Sequence, residues 1–252
     1  MPTGTAAVGI ICKTPIPGSS KTRMIPLVGT QGAADLAGAF LRDVAATIEA
    51  VDPASGRQGY AVYAPEGSEE SLRRFLPSGF GLLCRRDATL GVVLHGATQH
   101  LLSAGHDCVV LVNADSPTLP SALISEAIDV LRQPGDRVVL GPASDGGYYL
   151  IGLKRAHERL FTDVPWSTPA VYATTVTRAA EISLAVATLA TWYDVDDVAT
   201  LDMLLAELRG ERPDFGGTPL SGGAAHFTRA FLTAHPELAL KVAAQCTAQA
   251  HR

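Results

Sequence analysis

The residue best placed to do chemistry is Asp115, in the stretch Asn113-Ala-Asp-Ser-Pro117, directly after the apolar run Cys108-Val-Val-Leu-Val112. An apolar run bounded by polar residues reads as a buried parallel strand. The acid then falls at the strand's carboxyl end, the edge at which open α/β sheets bind ligands. A single Asp there suits a divalent cation that holds a phosphorylated substrate. The competing reading is capping: Asp115 or Ser116 would close the amino end of a helix from about Pro120.

A second candidate is the loop Lys13-Thr-Pro-Ile-Pro-Gly-Ser-Ser-Lys-Thr-Arg23, which carries three cations. Gly18 would let backbone N–H groups approach an anion. Lys21 offers a point charge and Arg23 a planar fork for phosphate oxygens. Pro15 and Pro17 stiffen the loop and lower the entropy lost on binding. Neither common phosphate motif is present. A Walker A loop needs Gly where Ser20 stands, and a dinucleotide fingerprint needs three glycines where only Gly18 occurs. A solvated surface loop is the alternative.

Two further segments carry acids. In Trp192-Tyr-Asp-Val-Asp-Asp197, Asp194 and Asp196 would point the same way in extended backbone. One of them could complete a metal site with Asp115 while Asp197 caps the following helix; cap electrostatics for all three is the rival account. In Gly141-Pro-Ala-Ser-Asp-Gly-Gly-Tyr-Tyr149, Gly146 and Gly147 permit positive φ and close approach by a ligand. Asp145 beside them could bind a metal, a hydroxyl or an amine, or the segment is only a hairpin turn. Tyr148 and Tyr149 alternate faces, so one is core and the other can face a cleft. Trp166, in Val164-Pro-Trp-Ser-Thr168, is a loop aromatic that could stack on a base or sugar, or pack at the domain edge.

These residues need elements to bring them together, and the periodicity predicts them. Strands are expected at Ala6–Cys12, Gly59–Ala64, Gly81–Cys84, Cys108–Val112, Val138–Gly141, Tyr148–Leu153 and Ala185–Leu189. Helices are expected at Gln31–Val51, Ser68–Leu76, Gly91–Ala104, Pro120–Leu131, Pro169–Ile182 and Val198–Leu208. Lys13–Val28 reads as loop. Strands alternating with helices predict a parallel or mixed sheet covered on both faces. Arg212–Gly223 is rich in Gly and Pro and reads as a linker or surface excursion. Helical stretches at Ala224–Ala234 and Pro236–Gln249 follow it, and their apolar face could support a homodimer.

Composition narrows the function. With 252 residues, 47% of them apolar, the chain suits one large domain or one domain plus a small appendage. A formal charge of −5 without a basic block leaves no footprint for nucleic acid. No segment has the ~20 apolar residues that cross a bilayer, and the short run Ala6–Cys12 does not read as a signal peptide. The four cysteines (12, 84, 108, 246) lack metal or redox spacing, and free buried thiols point to a reducing compartment, the cytoplasm. The seven histidines show no HExxH spacing, and no serine has a Gly-x-Ser-x-Gly context.

Taken in order, five segments resemble the DUF2064 family, also called the radical-SAM/selenodomain-associated transferase 1 family. They are Lys13–Met24, Asn113–Pro120, Val139–Gly152, Leu160-Phe with Val164–Ser167, and Trp192–Asp196. That family lies in the nucleotide-diphospho-sugar transferase superfamily. The resemblance implies an α/β, three-layer α/β/α Rossmann-like GT-A fold over residues 1–209, with a mixed, mostly parallel sheet and a C-terminal helical extension at 210–252. The first loop is also similar to that of the 2-phospho-lactate guanylyltransferases. The resemblance implies that Lys13, Gly18, Lys21, Thr22 and Arg23 bind nucleotide, that Asp115 holds Mg²⁺ (or Mn²⁺), and that Asp196, with Asp194 as alternative, is the second metal acid. Asp145, Gly146, Gly147, Tyr148 and Trp166 would line the acceptor side.

Two positions depart from the family pattern. Its Leu-Gly-x-Arg reads Leu90-Gly-Val-Val93, so a basic contact is missing there or supplied elsewhere. Its Thr-Pro after the second acid reads Asp197-Val198, which leaves the second metal acid open among Asp194, Asp196 and Asp197. The superfamily runs two chemistries on one fold. A lone acid at the central strand end and a cation-rich first loop favour nucleotidyl transfer from a triphosphate to a phosphorylated or similar small acceptor, with Lys21, Arg23 and Asp115 as catalytic groups. Glycosyl transfer from a nucleotide-sugar and a non-catalytic nucleotide- or metabolite-binding module are the alternatives.

Overall fold

The computed structural model describes residues 4–85, 89–215 and 220–250. Among them, seven strands form one sheet: β1 (Ala6–Lys13), β2 (Arg57–Ala64), β3 (Gly81–Cys84), β4 (Cys108–Asn113), β5 (Arg137–Pro142), β6 (Tyr148–Leu153) and β7 (Ala185–Thr188). Their order across the sheet is β3-β2-β1-β4-β6-β5-β7. Only β6 runs against its neighbours β4 and β5; the remaining pairings are parallel. The carboxyl ends of the parallel strands therefore share one edge, and β6 begins there.

The helices are α1 (Ile25–Glu49), α2 (Glu69–Arg73), α3 (Leu90–Ser103), α4 (Ser121–Arg132), α5 (Val171–Glu181), α6 (Val198–Leu208), α7 (His226–Ala234) and α8 (Glu237–Ala250). They form two layers because side chains alternate along each strand. On β1, Ala6, Val8, Ile10 and Cys12 pack with α1 and α4, while Ala7 faces the other core with Val93, Leu94 and Leu101 of α3. This is the expected α/β/α sandwich with a mixed, mostly parallel sheet.

The extension packs on the first layer. Phe231, Leu238 and Val242 join the core that contains Leu36 and Phe40 of α1 and Leu201 and Leu204 of α6. Asp43, a buried acid on α1, accepts hydrogen bonds from the amides of Phe227 (3.0 Å) and Thr228 (2.8 Å). It supplies the cap that α7 lacks locally, since Ala225 precedes the helix. Residues 216–219 of the predicted linker, and His251, lie outside the described residues.

Three local expectations change. The segment predicted as loop to Val28 is already helical from Thr22, first as a 3-10 turn and then as α1. Pro26 is tolerated in the first turn, and the break falls at Gly29, whose φ of 72° interrupts the helix. Ser68 precedes α2 without capping it; its Oγ donates to the Pro65 carbonyl and lies 2.7 Å from Thr14 Oγ1. Asp115 and Ser116 do not cap α4 either, which begins after Pro120. That removes the capping account of Asp115.

Candidate active site

The carboxyl edge of the sheet opens into a cleft of about 760 Å³. It contains the end of β1 and its loop, Arg85 after β3, Asp115 after β4, the β5–β6 turn, the Trp166 loop and the acids after β7. The strand order explains the convergence: β1 and β4 are neighbours at the centre, so loops far apart in sequence leave the sheet side by side.

At its centre is Lys21. Its ammonium donates to the Val195 carbonyl (2.6 Å) and to Asp196 Oδ1 (2.9 Å), and pairs with Asp115 Oδ1 at 2.8 Å. An ammonium has three donors, and here all three are engaged. The lysine side chain is 7% exposed, against 39% for Asp115 and 48% for Asp196. Burial alone would lower the Lys21 pKa; the charges of Asp115 and Asp196 and the hydrogen bonds to them outweigh it and hold it above the ordinary lysine value. The backbone at Lys21 is left-handed (φ 44°), a costly conformation for a residue with a Cβ, and it delivers the side chain to the acids. A backbone hydrogen bond between loops fixes the acidic side: the Val195 amide donates to the Asp115 carbonyl at 2.9 Å.

The three late acids have different surroundings. Asp197 caps α6, accepting from the Thr200 amide at 2.9 Å in a capping box. Asp196 faces Lys21. Asp194 lines the cleft and has its pKa pushed up to about 7, first by burial and then by the charges of Asp196, Asp145 and Asp115. Among the described residues no three acids, histidines or cysteines converge as a metal cage. The pair Asp115 and Asp196 still fits a magnesium-type ion, which takes one or two carboxylates together with substrate phosphates. Both carboxylates meet Lys21 through Oδ1 and keep oxygen surface on the cleft.

Lys13, Lys21, Thr22 and Arg23 line the cleft, whereas Gly18 sits at the outer bend with φ 84° and is not a lining residue. The Ser19 and Ser20 amides are spent on the Ile16 carbonyl inside the loop. Across the cleft, Asp145 Oδ1 accepts from the Gly147 amide (2.8 Å), and Gly147 and Tyr148 line the wall. Gly146 stands behind it with φ 91°, where an added Cβ would meet the Pro169 carbonyl oxygen at 2.2 Å. The segment is thus both a hairpin turn and a cleft wall. Tyr148 meets Trp166 edge-on (6.3 Å between ring centres). Tyr149 is core, with its hydroxyl on the Ala190 carbonyl.

Gly91 of the Leu90-Gly-Val-Val93 segment lies against this loop: a Cβ there would come within 2.6 Å of the Phe161 carbonyl oxygen and 2.9 Å of Trp166 Nε1. Arg85 was not singled out in the sequence. It follows β3 and brings a fourth cation to the cleft. Its signal was position alone, one residue past a strand end. Cys12 also lines the cleft, and burial pushes its thiol up to about 12, so it is not a ready nucleophile.

Comparison with solved structures gives the fold its relatives. A protein of Desulfovibrio desulfuricans G20 assigned to the nucleotide-diphospho-sugar transferases is 27% identical, with a TM-score of 0.79 over 94% of this chain and 97% of that one. CMP:2-keto-3-deoxy-manno-octonic acid synthetase, solved with CTP, shares the fold at 13% identity (TM-score 0.54, 80% and 97% covered). So does the glucosyl-3-phosphoglycerate synthase of Mycobacterium tuberculosis, solved with Mn²⁺, UDP and phosphoglyceric acid, at 12% identity (TM-score 0.50, 85% and 81% covered). No curated protein matches the chain. No described helix is long and apolar enough to cross a membrane. Residues 47–168 match the family model DUF2064, described as an uncharacterized protein conserved in bacteria, in agreement with the resemblance read from the motifs, and the chain has the fold of the nucleotide-diphospho-sugar transferases.

Proposed function

We propose that the chain is a metal-dependent nucleotidyltransferase that joins a nucleoside triphosphate to a small acceptor and releases pyrophosphate. The observation that carries the reading is the meeting of a cationic first loop with Asp115 and Asp196 around Lys21 in one cleft. Arg23, Lys13 and Arg85 are the cations that face the cleft without being tied to those two acids, and they would receive phosphate oxygens. Lys21 holds Asp115 and Asp196 at a set separation. A bound Mg²⁺ would neutralise charge on the phosphates and on the leaving pyrophosphate. Arg23 adds charge stabilisation of the same kind where it builds up in the transition state.

A lone acid after β4, in Asp115-Ser-Pro, supports nucleotidyl over glycosyl transfer, which ordinarily uses an Asp-x-Asp pair there. The test is a thermal-shift screen with Mg²⁺ against triphosphates and nucleotide-sugars, followed by assay of the released product. Stabilisation by a triphosphate with acceptor-dependent pyrophosphate release is the expected result. Preference for a nucleotide-sugar with release of free nucleotide would replace this reading with glycosyl transfer. Indifference to every nucleotide would leave a binding module for another metabolite.

A further inference from the structure

The charges of the cleft are sorted along the sheet. Among the described lining residues, all four cations, Lys13, Lys21, Arg23 and Arg85, come from β1, its loop and the end of β3. All four acids, Asp115, Asp145, Asp194 and Asp196, come from β4 onward. Because the order is β3-β2-β1-β4-β6-β5-β7, the cleft is positive over one half of the sheet edge and negative over the other. Lys21 offsets Asp115 and Asp196 at the boundary. No ion pair joins Asp145 or Asp194 to a cation among the described residues. That wall also carries Tyr148, Trp166, Ser167, Thr168, Pro169 and Val171: aromatic and aliphatic surface with the Ser167 and Thr168 side chains, the Tyr148 hydroxyl being buried.

We infer that the acceptor of this transferase is a non-anionic polyol or amino-polyol rather than a phosphate ester or carboxylic acid. The inference deepens the nucleotidyl-transfer reading and rests on it for the word acceptor. A nucleotide's phosphates belong over the cationic half and the Asp115–Asp196 pair at its boundary, which leaves the wall with Asp145 and Asp194 for the second substrate. An anion there would face the Asp145 carboxylate, joined by Asp194 as it ionises above about pH 7, without a counter-ion, and like charges at close range in a partly desolvated site repel strongly. A hydroxyl or ammonium group would donate to those carboxylates. Trp166 suits the apolar face of a sugar ring or a cation over its indole. In the reaction, an acceptor hydroxyl oxygen bonds to the α-phosphorus and the bond from that phosphorus to the bridging oxygen of pyrophosphate breaks. Pyrophosphate leaves with the electron pair, and the hydroxyl proton passes to a carboxylate of the acidic half.

The test separates binding from chemistry. Glycerol, glucose and glucosamine are compared with glycerol 3-phosphate, glucose 6-phosphate and glucosamine 6-phosphate on the full chain with Mg²⁺. Binding is followed by saturation-transfer NMR and by the Trp166 indole signal, assigned with Trp166→Phe. The expected result is binding of at least one parent compound about tenfold or more tighter than its phosphate, with the preference narrowed or reversed in Asp145→Lys. Asp145→Asn, a milder change, should narrow it as well. Any other pattern, including tighter binding of the phosphates or no binding by either set, overturns the inference. The two readings fail separately. Pyrophosphate release driven by phosphorylated acceptors would keep nucleotidyl transfer and remove this inference. Parent compounds bound at Trp166 with no triphosphate turnover would do the reverse.

Discussion

Two buried-charge assemblies in this chain meet similar constraints with opposite outcomes. At the back of the molecule Asp43 is 3% exposed and spends its oxygens on the Phe227 and Thr228 amides. At the mouth, Lys21 is nearly as buried, yet its partners Asp115 and Asp196 stay open to the cleft. Asp43 is a closed assembly: a carboxylate, two amides and no oxygen surface for a ligand. The Lys21 cluster is closed on the protein side and open on the solvent side. A buried charge that is fully satisfied by backbone serves cohesion; one whose counter-charges remain accessible can exchange them for a substrate or an ion.

The largest expected effect breaks the open assembly. Asp115→Asn and Lys21→Met should each lower turnover about 100-fold or more, as loss of a group that stabilises transition-state charge does. Their unfolding free energies should fall by only ~1–3 kcal/mol, because the acids are half exposed and rehydrate. Pyrophosphate release and urea melts on the same preparations check both numbers. Stability loss large enough to account for the activity loss would make the cluster as structural as Asp43.

Next comes the closed assembly. Asp43→Ala leaves two amides at the start of α7 without an acceptor and should cost ~2–3 kcal/mol. Hydrogen exchange should show lost protection over 226–234, while turnover per folded molecule stays close to wild type. An equal loss of turnover would mean that the extension reaches the cleft.

Asp194 gives a pH signature. Its pKa in the fold is about 7, above the 3.8 of an ordinary aspartate, so the folded state holds a proton that the unfolded state has released between those values. A raised carboxyl pKa contributes stability that is complete below about pH 4 and is lost as pH rises through 7. Asp194→Asn should therefore melt near wild type at pH 4 and several degrees higher at pH 8. A constant difference across that range would sever Asp194 from the cluster.

The smallest effect tests the wall. Gly91→Ala forces the Trp166 loop outward and should cost ~1–2 kcal/mol. It should shift the tryptophan emission and weaken acceptor binding more than nucleotide binding.

Most strands and helices were legible because the burial pattern repeats locally: period two with apolar runs for β1 and β4, and helical spacing for Leu36, Phe40 and Val44. The start of α1 was not, since Pro26 and Gly29 are loop signals that the first turn and a break at Gly29 absorbed. Ser68 looked like a cap because caps are read from residue type, whereas its hydroxyl was taken by Pro65 and Thr14.

The sequence by itself determined the layered α/β architecture and the residues able to do chemistry at strand ends, since both follow from local pattern and side-chain type. Only the tertiary structure decided their use. It committed Lys21 to two acids, assigned Asp197 to a helix end, added Arg85 and sorted the charges of the cleft. Those outcomes depend on which strands are neighbours, and a β4 that lies beside β1 across a hundred residues of chain is a property of the sheet order, not of any local run of residues.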